Sequence, residues 1–63
     1  MGTLPEKEMI QKNIEEFSRL QDYMLASEKD SNAYRLMKKR YVELKVILNV
    51  FGINLAEIDI IKE

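Results

Sequence analysis

The sequence predicts an all-α fold: an antiparallel helical hairpin plus a short C-terminal helix, pairing into a four-helix-bundle-like homodimer. Three observations predict it. Apolar residues recur at spacings of three and four in two segments of about 20 residues each. A polar break separates the segments, and aliphatic residues remain that a single hairpin cannot bury. We expect one domain over residues 1–63, with helices at about 4–27, 32–51 and 55–62.

The first helix is predicted from its start signals and its apolar stripe. Thr3-Leu4-Pro5-Glu6 matches a capping box, in which the Thr3 hydroxyl accepts a hydrogen bond from the Glu6 amide. The predicted inward face consists of Ile10, Ile14, Phe17, Leu20 and Met24. The polar break that follows offers Asp30 or Ser31 as the cap of the next helix. Because this connection is short, the two helices should be antiparallel neighbours.

The second and third helices are predicted from a heptad seam and a strong stop signal. The seam has the spacing 3-4-3-4-3 and consists of Tyr34, Met37, Tyr41, Leu44, Leu48 and Phe51. Gly52 fits the left-handed position that ends a helix, and Ile53 fits the apolar position after it in a Schellman motif. Asn54 and Glu57 then form a second capping-box pattern, so a short helix should follow and pack on the second.

The surplus aliphatic residues predict self-association. The predicted association surface consists of Val42, Val46, Ile47, Val50 and Ile60. Burying one Val or Ile side chain contributes roughly 1.5–3 kcal/mol, so four left in water would forgo about 6–12 kcal/mol, as much as a whole domain's stability. A homodimer is therefore the predicted solution. Two alternatives stay open: a monomer in which the third helix covers these residues, and a complex with a different protein.

Charge is unevenly distributed along the chain. The net charge is −1, but residues 32–51 carry five bases and one acid, whereas the segments on either side are acidic. The basic cluster consists of Arg35, Lys38, Lys39 and Arg40. It either complements the charge of the neighbouring helix or contacts an acidic partner or phosphate groups.

Nucleic-acid binding is the alternative function. The segment from Ile47 to Ile61 resembles the glycine-turn core of a helix-turn-helix. However, Leu48 stands where that motif needs a small residue, and Glu57 and Asp59 would repel phosphates. The isoelectric point near 5.4 also lies far from the basic range typical of such proteins. Nucleic acid is therefore disfavoured as a partner.

Composition argues against catalysis. The chain has no cysteine and no histidine, and its two glycines cannot form a phosphate-binding loop. In length and layout it resembles the small helical-hairpin phosphatases of response-regulator aspartyl phosphate, whose signature is Ser-Gln-Glu-Leu-Asp. Here the best register is Tyr41-Val42-Glu43-Leu44-Lys45, in which only Glu43-Leu44 match and Lys45 replaces the acid. We therefore expect no enzyme activity, no cofactor and no metal.

The same sequence shows no secretory signal and no apolar run long enough to span a bilayer. A cytoplasmic, non-membrane protein is expected. The predicted function is that of a non-enzymatic protein-interaction module or small regulatory protein.

Overall fold

Two helices packed against each other form the body of the protein. A computed structural model describes residues 6–63. Helix α1 spans Glu6–Ala26, helix α2 spans Asn32–Val50, and one 3-10 turn covers Leu55–Glu57. The described residues contain no strand, so the prediction of an all-α hairpin is confirmed. The predicted start of the first helix at residue 4 and its Thr3 cap lie outside the described residues.

The connection between the helices ends at a serine cap. The Ser31 side chain accepts a hydrogen bond from the Tyr34 amide at 3.1 Å and donates one to the Glu28 carbonyl at 2.7 Å. The cap satisfies an amide that the first turn of a helix leaves without a partner. Ser31 was one of the two predicted caps.

The core lies along the line where α1 and α2 meet. Its buried apolar residues are Phe17, Met24, Tyr34, Tyr41, Leu44 and Leu48. The Phe17 and Tyr41 rings stack with centroids 5.4 Å apart and planes 8° from parallel. Four of the six residues predicted for the seam of α2 are thus buried, whereas Met37 and Phe51 are partly buried. On α1, Leu20 packs against the core but is only partly buried, whereas its neighbour Gln21 is fully buried together with Phe17 and Met24.

Helix α2 ends as predicted. Gly52 has a φ of 78°, the left-handed region that a residue with a side chain rarely adopts. The Ile53 amide donates to the Leu48 carbonyl at 3.0 Å, and the Gly52 amide donates to the Asn49 carbonyl at 3.0 Å. These two bonds define a Schellman motif, which turns the chain back toward the hairpin.

The predicted third helix at 55–62 is wrong. Only Leu55–Glu57 are helical, in a 3-10 turn that Asn54 caps by accepting from the Ala56 amide at 3.1 Å. Beyond it the amides of Ile60 and Ile61 donate to the Gln21 side chain instead of to carbonyls of a helix. A helix this short is unstable without tertiary contacts. Here the contacts with Gln21 favour an irregular backbone instead. We refer to residues 58–63 as the C-terminal segment.

Candidate association surface and the C-terminal segment

Three valines of α2 project away from the core. Val42, Val46 and Val50 are 47%, 60% and 78% exposed. At about 100° per residue they occupy the side of α2 opposite Tyr41, Leu44 and Leu48. We call this side the outer face of α2. Nothing within residues 6–63 covers it, so an apolar stripe runs along the second half of the helix.

The other two residues of the predicted association surface lie elsewhere. Ile47 is partly buried at the edge of the outer face. Ile60 belongs to the C-terminal segment, where with Met24 and Leu25 it lines a pocket of about 310 Å³. The structure therefore brings together the three valines and gives Ile60 different neighbours.

The basic cluster divides into two kinds of residue. Arg40 holds Glu16 of α1 through two hydrogen bonds of 2.7 and 3.0 Å, and the Lys38 amine lies 2.9 Å from the Glu63 carboxylate. These pairs join α2 to acidic residues of α1 and of the C-terminal segment. Arg35 and Lys39, in contrast, form no ion pair with any residue between 6 and 63.

The C-terminal segment is held by a buried amide. The Gln21 side chain donates to the Ile58 carbonyl at 2.9 Å and accepts from the amides of Ile60 and Ile61 at 2.6 and 2.9 Å. Gln21 is 0% exposed. A buried amide without partners would destabilise the fold, so these bonds both satisfy Gln21 and attach the segment to α1.

A second set of bonds attaches the segment to α2. The Tyr41 hydroxyl donates to Asp59 at 2.6 Å and accepts from the Glu63 amide at 3.0 Å. The Lys45 amine lies 3.2 Å from the Asp59 carboxylate and donates to the Glu63 carbonyl at 2.8 Å. Burial disfavours the charged form of Asp59, but hydrogen bonds from Tyr41, the Lys62 amide and Lys45 outweigh it and lower the pKa of Asp59.

The side chain of Glu63 is the third attachment point. Its carboxylate lies 2.9 Å from the amine of Lys38 and 3.2 Å from that of Lys29, and it accepts from the Tyr34 hydroxyl at 3.1 Å. Chiefly through the bonds from Lys38 and Lys29, the pKa of Glu63 falls to about 2. The C-terminal segment is therefore fixed to both helices by polar contacts along its whole length.

The sequence did not reveal that Gln21, Asp59 and Glu63 hold the C-terminal segment against the two helices. A signal for Gln21 exists, because the spacing from Ile14 through Phe17 to Met24 leaves Gln21 on the heptad seam, where an amide needs a specific partner. Asp59 and Glu63 carry no comparable local signal. Their side-chain partners lie 14 or more residues away in the sequence.

Comparisons with protein-family models, curated proteins and solved structures find no match to this chain. Within residues 6–63 no group of three or more potential ligand side chains is placed to hold a metal ion. Neither helix of this part of the chain has the length and hydropathy needed to cross a membrane.

Proposed function

We propose that the protein is a non-enzymatic protein-interaction module, or small regulatory protein, that self-associates through the outer face of α2. The observation that carries the proposal is the exposure of Val42, Val46 and Val50 on one face. Apolar side chains grouped on a face that the fold leaves uncovered are typical of interaction sites. Full burial of a valine stabilises by roughly 1.5–3 kcal/mol, so a matching apolar surface gains most at Val50 and Val46.

The placement of the C-terminal segment supports the same proposal. A monomer in which this segment covers the valines was the main alternative. Its backbone and acidic groups instead engage Gln21, Tyr41 and Lys45, and Val46 and Val50 stay more than half exposed. Within residues 6–63 no element is left to cover them.

The nucleic-acid alternative has less support. A helix-turn-helix needs a second helix after the turn, but only a single 3-10 turn lies at Leu55–Glu57. Of the four bases in the cluster, Lys38 and Arg40 are engaged with Glu63 and Glu16. Two unengaged cations would give weak, strongly salt-dependent binding at most.

The test is the effect of Val46→Glu on mass in solution. Sedimentation equilibrium at micromolar concentrations should show a dimer for the wild type and a shift toward the monomer for Val46→Glu, since a carboxylate buried in an apolar contact is strongly unfavourable. Far-ultraviolet circular dichroism should show the same helix content for both, because Val46 has no part in the core.

A matched control is Tyr23→Glu on α1. Tyr23 is 56% exposed, close to the 60% of Val46, and lies on the other helix. An acid near the C-terminal end of α1 interacts unfavourably with the helix dipole, by about 0.3–1 kcal/mol. Tyr23→Glu should therefore perturb α1 at least as much as Val46→Glu perturbs α2. If both variants dissociate equally, or if the wild type is monomeric throughout, the outer face of α2 is not a self-association surface.

A further inference from the structure

The outer face of α2 carries a second heptad pattern. Its members have the spacing 4-3-4-3-4 and are all exposed: Asn32, Leu36, Lys39, Glu43, Val46 and Val50. This spacing places the six residues along one line of the helix surface, as in a helix that packs against a second helix. We call this line the second seam. Helix α2 thus has one seam for α1 and another on the opposite side.

The second seam is complementary to itself when two copies run antiparallel. Reading inward from both ends pairs Asn32 with Val50, Leu36 with Val46, and Lys39 with Glu43. We propose that a second copy of this chain docks on α2 antiparallel in this register. Each Lys39 then faces Glu43 of the other copy, and a Leu36–Val46 pair lies on each side of this charged centre. The inference rests on the proposed self-association and specifies its geometry.

Charge selects this arrangement over a parallel one. In a parallel pair Lys39 faces the second copy's Lys39, and Glu43 faces its Glu43. Like charges placed opposite each other on packed helices disfavour association. The antiparallel pair replaces both repulsive contacts with two attractive ones.

Charge also selects the register among antiparallel pairs. A shift of one heptad in one direction sets Lys39 against Val50 and Glu43 against Val46, so both charges meet apolar side chains. The opposite shift sets Leu36 against Lys39 and leaves Val46 and Val50 without partners. Only the proposed register pairs Lys39 with Glu43 and Leu36 with Val46, while Asn32 faces Val50 at each end.

The two charged residues are available for a partner. Lys39 forms no ion pair with residues 6–63. Among residues 6–63 the Glu43 carboxylate pairs with Arg40 alone, at 3.2 Å, and the Glu43 side chain is 61% exposed. Arg40 has its shorter bonds to Glu16. An exposed pair of this kind contributes little to stability, so Glu43 can turn to a second copy with little loss of stability in the hairpin.

The apolar positions are equally open. Leu36 is 68% exposed and Val46 is 60% exposed. In the symmetric pair, Leu36 of each copy contacts Val46 of the other, so this contact occurs once on each side of the charged centre. Val42 and Ile47 lie on opposite flanks of the seam, where they can add contact area. Because one short helix per copy forms a small interface, we expect a micromolar dimer.

The first test exchanges the two charges. Lys39→Glu should raise the dimer dissociation constant by about tenfold or more, since each substituted residue then faces Glu43 of the other copy. Glu43→Lys should weaken the dimer similarly. The double variant Lys39→Glu/Glu43→Lys restores both pairs with reversed sign, and its dissociation constant should return to within about threefold of the wild type. The measurement is sedimentation equilibrium at low salt.

The second test uses the absence of cysteine from the chain. With Leu36→Cys and Val46→Cys in one chain, oxidation should yield a covalent dimer. Leu36→Cys alone should not, because the two copies of residue 36 lie ten positions apart along the paired helices. At 1.5 Å per residue this is about 15 Å, well beyond the roughly 7 Å between Cα atoms that a disulfide spans.

The outcomes separate the two proposals. A wild-type monomer at all concentrations overturns self-association and this geometry together. A wild-type dimer whose charge exchange fails to restore affinity, or which crosslinks through Leu36→Cys alone, overturns the antiparallel register and leaves self-association standing. Recovery in the double variant together with crosslinking only in the two-cysteine chain supports the proposed pair.

Discussion

Replacing Gln21 by methionine tests how the C-terminal segment is held. Methionine fills nearly the same volume as glutamine but cannot form the three hydrogen bonds to Ile58, Ile60 and Ile61. The substitution therefore removes the polar contact of the segment with α1 while it leaves the packing of Phe17 and Met24 in place.

The expected loss follows from the number of bonds. A hydrogen bond contributes a net of about 0.5–1.5 kcal/mol, so three contribute about 1.5–4.5 kcal/mol. The loss cannot exceed the free energy with which the segment is docked, because the segment can detach and return its amides to water. A 63-residue domain has a total stability of about 3–9 kcal/mol, so the change should be a large part of it.

Two measurements check this expectation. Urea unfolding followed by circular dichroism should show a lower midpoint for Gln21→Met. Native-state hydrogen exchange should show faster exchange at the amides of Ile60 and Ile61 than in the wild type, while the amide of Leu44 in the middle of α2 is affected less.

Gln11→Met is the matched control. Gln11 lies on the same helix and is exposed, and among the described residues its side chain bonds to Glu15 alone, at 3.4 Å. Its replacement should therefore change stability by less than about 0.5 kcal/mol. Equal effects of the two substitutions would refute the assignment of Gln21. Unchanged exchange at Ile60 and Ile61 would refute it as well.

Three further predictions concern the same segment and the turn before it. Folding lowers the pKa of Asp59 and takes that of Glu63 from its usual 4.5 to about 2. The two carboxylates therefore stabilise the folded state fully above the usual carboxyl pKa, and this contribution is lost as the pH falls through the folded-state values. Amide chemical shifts of residues 60–63 should accordingly move toward unfolded positions between about pH 4.5 and 2, and shifts that stay constant over this range would contradict the assignment. Tyr41→Phe should lower the free energy of unfolding by about 1.5–3 kcal/mol, because it deprives the buried Asp59 carboxylate of its closest donor; Tyr34→Phe should have a smaller effect in the same urea titration, since Glu63 retains both lysines. Gly52→Ala should cost about 1–2 kcal/mol through its left-handed backbone alone, since a Cβ there would meet no atom within 4 Å; a neutral result in thermal unfolding would mean that the φ of 78° is not maintained.

The local features of the fold could be predicted from the sequence. The seam of α2, the Ser31 cap and the Schellman motif at Gly52 each depend on residues within a few positions of one another. Such signals act through helix periodicity and backbone geometry, so they do not require knowledge of the rest of the chain.

The third element could not be predicted in the same way. Asn54 and Glu57 gave a valid start signal, yet the amides of Ile60 and Ile61 found an acceptor in Gln21, 39 and 40 residues away. A long-range partner of this kind overrides local propensity. The residues of the predicted association surface lie apart for the same reason. Ile60 belongs to the C-terminal segment, which docks on the hairpin, whereas Val46 lies on the outer face of α2.

The position of the C-terminal segment also implies an order of folding within one chain. Its docking surface is built from Gln21 of α1 and Tyr41 of α2, so this surface does not exist until the helices have paired. Removal of residues 58–63 would therefore leave the Gln21 amide and the Tyr41 hydroxyl without the hydrogen-bond partners that this segment supplies.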